Sequence, residues 1–175
     1  MSILKYFGLE PPDSPPGNAE TQTVRRITEA LDRLEPEQAR YIAGFAYILS
    51  RVARADLKIS EPETRAMERI VSEVGQLPEE QAVIVVQIAK TQNKLFGGTE
   101  NFLVTREFNN LATRDQKLAL LDCLFAVAAS EASISAKEDN EIRQIADELR
   151  LEHRDFIAVR SRHRQHLAFL NKPSE

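Results

Sequence analysis

The chain has 175 residues, of which 42% are hydrophobic and 29% are charged, and its formal net charge is −4. This balance is typical of one globular domain and excludes a disordered tail or a membrane channel. An acidic chain lacks the broad basic face of a nucleic-acid-binding protein, and its single cysteine, Cys123, excludes a disulfide framework. We therefore expect a cytoplasmic protein that binds no nucleic acid.

The first residues are set apart by prolines. Residues 1–9 form a short apolar head, with Ile3 and Phe7 on one face if it is helical, and residues 10–20 form a proline-rich linker. Such a head can dock on its own domain, on a partner or on a membrane surface, although its one lysine gives little attraction to a membrane. The helical domain is predicted over residues 21–170.

In the first half of this domain, apolar residues recur at steps of three and four, as in amphipathic helices. One helix follows Thr21, and a second begins at Pro36 and should lie centrally because several of its sides are apolar. A third is predicted from Ser60 to Gly75, where glycine suits a left-handed cap. A fourth follows Pro78, since its strand-like valine run has no second strand to pair with.

The second half continues the pattern. Residues 100–111 form a helix by their apolar spacing, and Thr113-x-x-Gln116 is a capping box that begins the next. Further helices are predicted from Ser135 and from about His153 to Phe169. The sequence therefore predicts an all-α fold, a compact bundle of about seven or eight helices.

The sequence also repeats itself at an offset of 75 residues, which places residues 56–63 on residues 131–138. The apolar positions of the following helices match as well, so that Met67, Ile70 and Val71 fall on Ile142, Ile145 and Ala146. We therefore predict two pseudo-symmetric helix-loop-helix repeats.

The first copy of this motif ends in Asp56-Leu57-Lys58-Ile59-Ser60-x-x-Glu63, preceded by Ala53-Arg54-Ala55. Over residues 37–159 the chain resembles TerB-like (tellurite resistance protein B) domains, which carry Ala-x-Ala-Asp-Gly-x-Ile-x-x-x-Glu twice. The resemblance implies an all-helical bundle associated with tellurite resistance and related stress responses, whose acidic motif positions form a metal site. Leu57 and Ala132 stand in place of both glycines and Glu131 in place of the second aspartate, so the loops should differ in shape from glycine turns.

The candidate metal ligands are four carboxylates, two from each repeat: Asp56, Glu63, Glu131 and Glu138. Carboxylate oxygens suit a hard divalent cation, with calcium as the expected ion, although neither loop has the full ligand pattern of an EF-hand. The alternative needs no metal, because Ser60-x-x-Glu63 and the matching Ser135-x-x-Glu138 are both capping boxes.

Arginines dominate the last predicted helix. Arg154, Arg160 and Arg164 form a basic face that can meet an acidic protein partner, or can simply be solvated. His163 and His166 are spaced to share a metal but lack the third protein ligand of a zinc site.

No nucleophile motif or phosphate-binding glycine loop occurs in the sequence, so we expect no enzymatic activity. The first hypothesis is a stress-response protein that binds a divalent cation through its repeated acidic loops. The alternative is a metal-free helical scaffold or adaptor that binds a protein partner.

Overall fold

The computed structural model describes residues 19–53, 60–95, 101–130 and 133–168. Within these ranges lie eight α-helices, without β-strands: α1 (Ala19–Asp32), α2 (Pro36–Val52), α3 (Glu61–Glu73), α4 (Glu79–Leu95), α5 (Asn101–Leu111), α6 (Arg114–Ser130), α7 (Ala136–Glu148) and α8 (His153–Arg162). A 3-10 helix, Arg164–His166, follows α8. The predicted all-α class is confirmed, and the valine-rich α4 is helical. None of the described helices is long and apolar enough to cross a membrane.

Two central helices organise the bundle. α2 packs against α1, α4, α5, α6 and α7, and α6 packs against α2, α3, α7 and α8. Both helices are apolar on several sides, so they bury residues in more than one direction. The buried side chains include Ile42, Phe45 and Leu49 of α2 and Leu121 and Phe125 of α6.

A glycine brings α2 and α5 close together. A Cβ on Gly44 would lie 2.9 Å from Cδ2 of Phe108, which is closer than real Cβ contacts. The ring of Phe108 also stacks on Tyr41, with 5.2 Å between the ring centroids. The missing side chain of Gly44 therefore allows the aromatic contact that fixes α5 on α2.

The end of α3 differs from the prediction. α3 ends next to Gly75 as expected, but the left-handed backbone falls on Gln76, whose φ is 58°. Gly75 is needed for space instead, because a Cβ there would lie 2.4 Å from the Val71 carbonyl oxygen and 2.9 Å from Phe45 Cζ. The prediction that α3 ends at Gly75 is therefore confirmed, but the prediction that Gly75 has a left-handed backbone was wrong.

The last helix is shorter than predicted. α8 ends at Arg162, and the chain turns through His163 into the 3-10 helix. Beyond it, Leu167 forms a parallel bridge with Ile134: the Ile134 amide donates to the His166 carbonyl at 2.7 Å, and the Ala168 amide donates to the Ile134 carbonyl at 3.1 Å. A helix continued to Phe169 would not allow this long-range pairing.

Candidate functional site

The two motif glutamates lie in capping boxes at the N-termini of α3 and α7, as the spacing predicted. The Ser60 amide donates to Glu63 Oε2 at 2.7 Å, and the Glu63 amide donates to the Ser60 hydroxyl oxygen at 3.4 Å. The second repeat has the same pair, with 2.8 Å from the Ser135 amide to Glu138 Oε2 and 3.2 Å for the return bond. Both boxes therefore satisfy backbone amides that a helix N-terminus leaves without partners.

The two boxes differ in their surroundings. Glu63 is exposed, and the hydrogen bond from the Ser60 hydroxyl holds its pKa below the usual range. Glu138 is only 7% exposed, and Asp139 beside it is buried too. Two acidic groups at the N-terminus of α7 are favoured by the helix dipole, which places partial positive charge there. The capping glutamate of the second repeat therefore lies in a drier environment than that of the first.

Two of the four proposed ligands, Asp56 and Glu131, lie outside the described residues. The structure therefore places Glu63 and Glu138 just after the acidic loops and leaves the loops' own carboxylates undescribed. In the part of the chain that is described, no three potential metal ligands come together. Carboxylate oxygens suit a hard cation, yet each capping box already engages one oxygen of its glutamate, so a complete ligand set needs Asp56 and Glu131.

The three arginines predicted to meet a partner have different environments. Arg160 is half-buried and donates twice to Asp139, at 2.7 and 3.1 Å, so it joins α8 to the start of α7. Arg154 is exposed and pairs with the exposed Glu152, at 2.7 Å. Arg164 is exposed as well. Arg154 and Arg164 thus remain accessible to a partner, whereas Arg160 has an internal role.

His163 and His166, the two histidines spaced to share a metal, make separate contacts. His163 Nε2 lies 2.6 Å from Asp122 Oδ1, and its ring stacks on Phe125 with 5.5 Å between centroids. The hydrogen bond from His163 lowers the pKa of Asp122, and the charge of Arg162 at 3.1 Å acts in the same direction. His163 is therefore part of an α6–α8 contact, while the main chain of His166 takes part in the bridge to Ile134.

A buried ionic cluster was not expected from the sequence. The Arg51 side chain of α2 is only 5% exposed and lies 2.7 Å from Glu148 Oε2 and 2.8 Å from Glu141 Oε1, both on α7. It also donates to the hydroxyl of the buried Thr105 on α5, at 3.1 Å. The cluster joins three helices around one guanidinium group.

A cleft of about 430 Å³ lies where α2, the α3–α4 connection and α6 meet, and amide side chains dominate its lining. Gln38 donates to Gln81 across it at 2.8 Å. Burial raises the pKa of Tyr41, which also lines the cleft, to about 12, so this phenol stays neutral at physiological pH. These side chains offer hydrogen bonds but no acid–base pair for catalysis.

The fold and the paired capping boxes define a class of small all-helical bundles in which a Ser-x-x-Glu capping box begins two of the helices. The family model of tellurite resistance protein TerB matches residues 42–161, which is more than half of the chain. The chain belongs to the TerB family. No curated protein and no solved structure shows significant similarity to it.

Proposed function

We propose that this chain is a non-enzymatic TerB-family protein of the tellurite-resistance stress response, and that it acts in the cytoplasm by binding a divalent cation, preferably calcium. The family match supports the association with tellurite resistance. The cation would bind at the acidic loops that precede α3 and α7.

The observation that carries the cation proposal is the occurrence of the same capping box at the exit of both loops. Each box fixes a glutamate carboxylate at a helix N-terminus through hydrogen bonds of 2.7 and 2.8 Å from the serine amides. A preorganised carboxylate loses less conformational freedom when a cation binds. Asp56 and Glu131 would complete the site from within the loops, where a hard cation prefers several oxygen ligands.

Calorimetric titration tests this proposal. Metal-stripped protein is titrated with calcium, magnesium, manganese and zinc, beside a variant carrying Asp56→Asn and Glu131→Gln. We expect saturable calcium binding that is lost in the variant, because both changes remove a charged oxygen ligand. A matched control, Glu73→Gln with Asp115→Asn, removes the same charge from exposed helical positions and should bind as the native chain does.

Binding lost equally in the control would show that net charge, not a site, attracts the ion. No heat and no thermal stabilisation at millimolar cation would overturn the cation proposal, since a ligand that binds the folded state must stabilise it.

The second candidate is a metal-free adaptor that binds a protein partner, and the exposed Arg154 and Arg164 favour it. In that case the capping boxes only cap the N-termini of α3 and α7, and loss of the loop carboxylates leaves function intact. The apolar head, residues 1–9, was the other predicted contact with a partner or membrane, and it lies outside the described residues.

A further inference from the structure

The outer face of α8 combines basic and apolar residues. Ile157 is 43% exposed, and Arg154 and Ser161 lie three residues before and four residues after it, on the same exposed face. Arg162, at the end of this helix, is exposed as well. We call Arg154, Ile157 and Ser161 the basic patch.

The outer face of α4 has the same layout with the opposite charge. Val83 is 37% exposed, Glu79 and Glu80 lie four and three residues before it, and the half-buried Gln87 lies four residues after it. The two glutamates make no ion pair with any described residue. We call these four residues the acidic patch.

We propose that the acidic patch of one copy docks on the basic patch of a second copy of this chain, in a head-to-tail arrangement. Val83 and Ile157 are both exposed large hydrophobic residues, and each lies one helical turn from charges that attract the other patch. Docking would bury both side chains and place Glu79 and Glu80 opposite Arg154.

The ion pair that Arg154 now makes does not oppose docking. Its partner Glu152 is 64% exposed, and such exposed pairs contribute little to stability. Arg154 can therefore exchange Glu152 for a glutamate of the second copy. The opposite charges favour encounter, and the two apolar side chains add the hydrophobic contribution at the centre of the contact.

The arrangement is heterologous, since two different surfaces meet. α4 packs on α1, α2 and α3, whereas α8 packs on α6 and α7, so separate helices carry the two patches and one copy can use both. Such contacts form rings or open chains of copies. The patches are small, which predicts weak and salt-sensitive association. The proposal is independent of cation binding and gives the adaptor hypothesis a specific partner.

Sedimentation velocity over a wide concentration range tests the proposal on the full chain. We expect the native protein to self-associate with rising concentration at low salt, and to do so far less at about 1 M salt, where charges are screened beyond about 3 Å. Glu80→Arg and Arg154→Glu should each weaken association by at least about tenfold, because like charges then face each other.

The double variant Glu80→Arg with Arg154→Glu provides the decisive comparison. It exchanges the two charges of the facing pair Glu80 and Arg154, so it should regain much of the self-association, whereas each single variant should not. A mixture of the two single variants should associate, because the native Glu80 of one variant can face the native Arg154 of the other, and the two reversed charges can also face each other. The control Arg65→Glu reverses an exposed charge on α3 and should leave association unchanged.

Two results would overturn the proposal. One is a native protein that stays monomeric at all concentrations. The other is self-association that persists in both single variants or fails to return in the double variant. Circular dichroism of each variant confirms that the surface changes leave the helices intact.

Discussion

Gly75 and Gln76 are neighbours at the end of α3, and their backbones have opposite requirements. Gly75 has no room for a side chain, because a Cβ would meet the Val71 carbonyl oxygen and the Phe45 ring. Gln76 has a left-handed backbone that L-amino acids adopt at a free-energy cost of about 1–2 kcal/mol. The residue that needs the properties of glycine for its φ angle is therefore not the glycine.

This arrangement predicts opposite effects of two substitutions. Gly75→Ala should lower the free energy of unfolding by about 1–3 kcal/mol, because the new methyl group forces the end of α3 away from α2. Gln76→Gly should leave stability unchanged or raise it by up to about 1 kcal/mol, since relief of the strained φ offsets the extra flexibility of the unfolded chain. Urea denaturation of both variants measures these changes. Equal destabilisation by both would contradict the explanation.

At the scale of the elements, the ionic cluster around Arg51 determines how α7 packs against α2. Burial alone would lower the pKa of Arg51, but its hydrogen bond to Glu148 and the charges of Glu148 and Glu141 raise it overall. For Glu148, burial raises the pKa. The hydrogen bond and the charge of Arg51 lower it, and the net shift of the Glu148 pKa is downward. Arg51 and Glu148 therefore both favour their charged forms in the folded state.

Arg51→Met tests this cluster. The change should lower the free energy of unfolding at neutral pH by about 1–3 kcal/mol, because it leaves two partly buried carboxylates without their cation. The lowered pKa of Glu148 contributes stability that is complete above the unfolded value of about 4.3 and is lost as the pH falls through the folded value. Without Arg51 this contribution is absent, so the difference between native and variant protein should shrink on acidification.

Denaturant titrations at several pH values measure this difference. Arg65→Met is the matched control, since its exposed pair with Glu61 should change stability by at most about 0.5 kcal/mol at any pH. A stability difference for Arg51→Met that stays constant from neutral to acidic pH would show that lost packing, not lost charge pairing, explains the effect.

The elements also show how far the sequence can predict this molecule. Periodicity and capping signals are local, and they correctly predicted the capping boxes of α3, α6 and α7. The Arg51 cluster and the early end of α8 depend on contacts between residues far apart in sequence, which no local pattern encodes. For the candidate site, the sequence predicted the capped glutamates, whereas the internal pairing of Arg160 with Asp139 required the fold.

For the whole molecule, the segment after α8 closes the second half of the bundle. It is anchored at one end by the contact of His163 with Asp122 and at the other by the bridge between Leu167 and Ile134. Ile134 and Leu167 are both almost completely buried. The segment therefore fixes the chain directly after the second acidic loop, and the stability of that loop's exit depends on residues far along the sequence.

Leu167→Ala should accordingly lower the free energy of unfolding by about 2–5 kcal/mol, as truncation of a buried leucine does. The amide hydrogen of Ile134 should also exchange faster, because its acceptor is the neighbouring His166 carbonyl. Hydrogen exchange followed by mass spectrometry or NMR measures the second effect. Gln165→Ala, at an exposed position, is the control, and a Leu167→Ala variant as stable and as protected as the native chain would contradict this role.

The bridge also sets an order of events during synthesis. A ribosome releases the chain from its N-terminus, so residues 133–135 emerge well before residues 166–168, with which Ile134 must pair. The core around α2, α3 and α4 uses residues that have already emerged and can assemble first. Ile134, which follows the second acidic loop, can form its bridge only after Leu167 has left the ribosome.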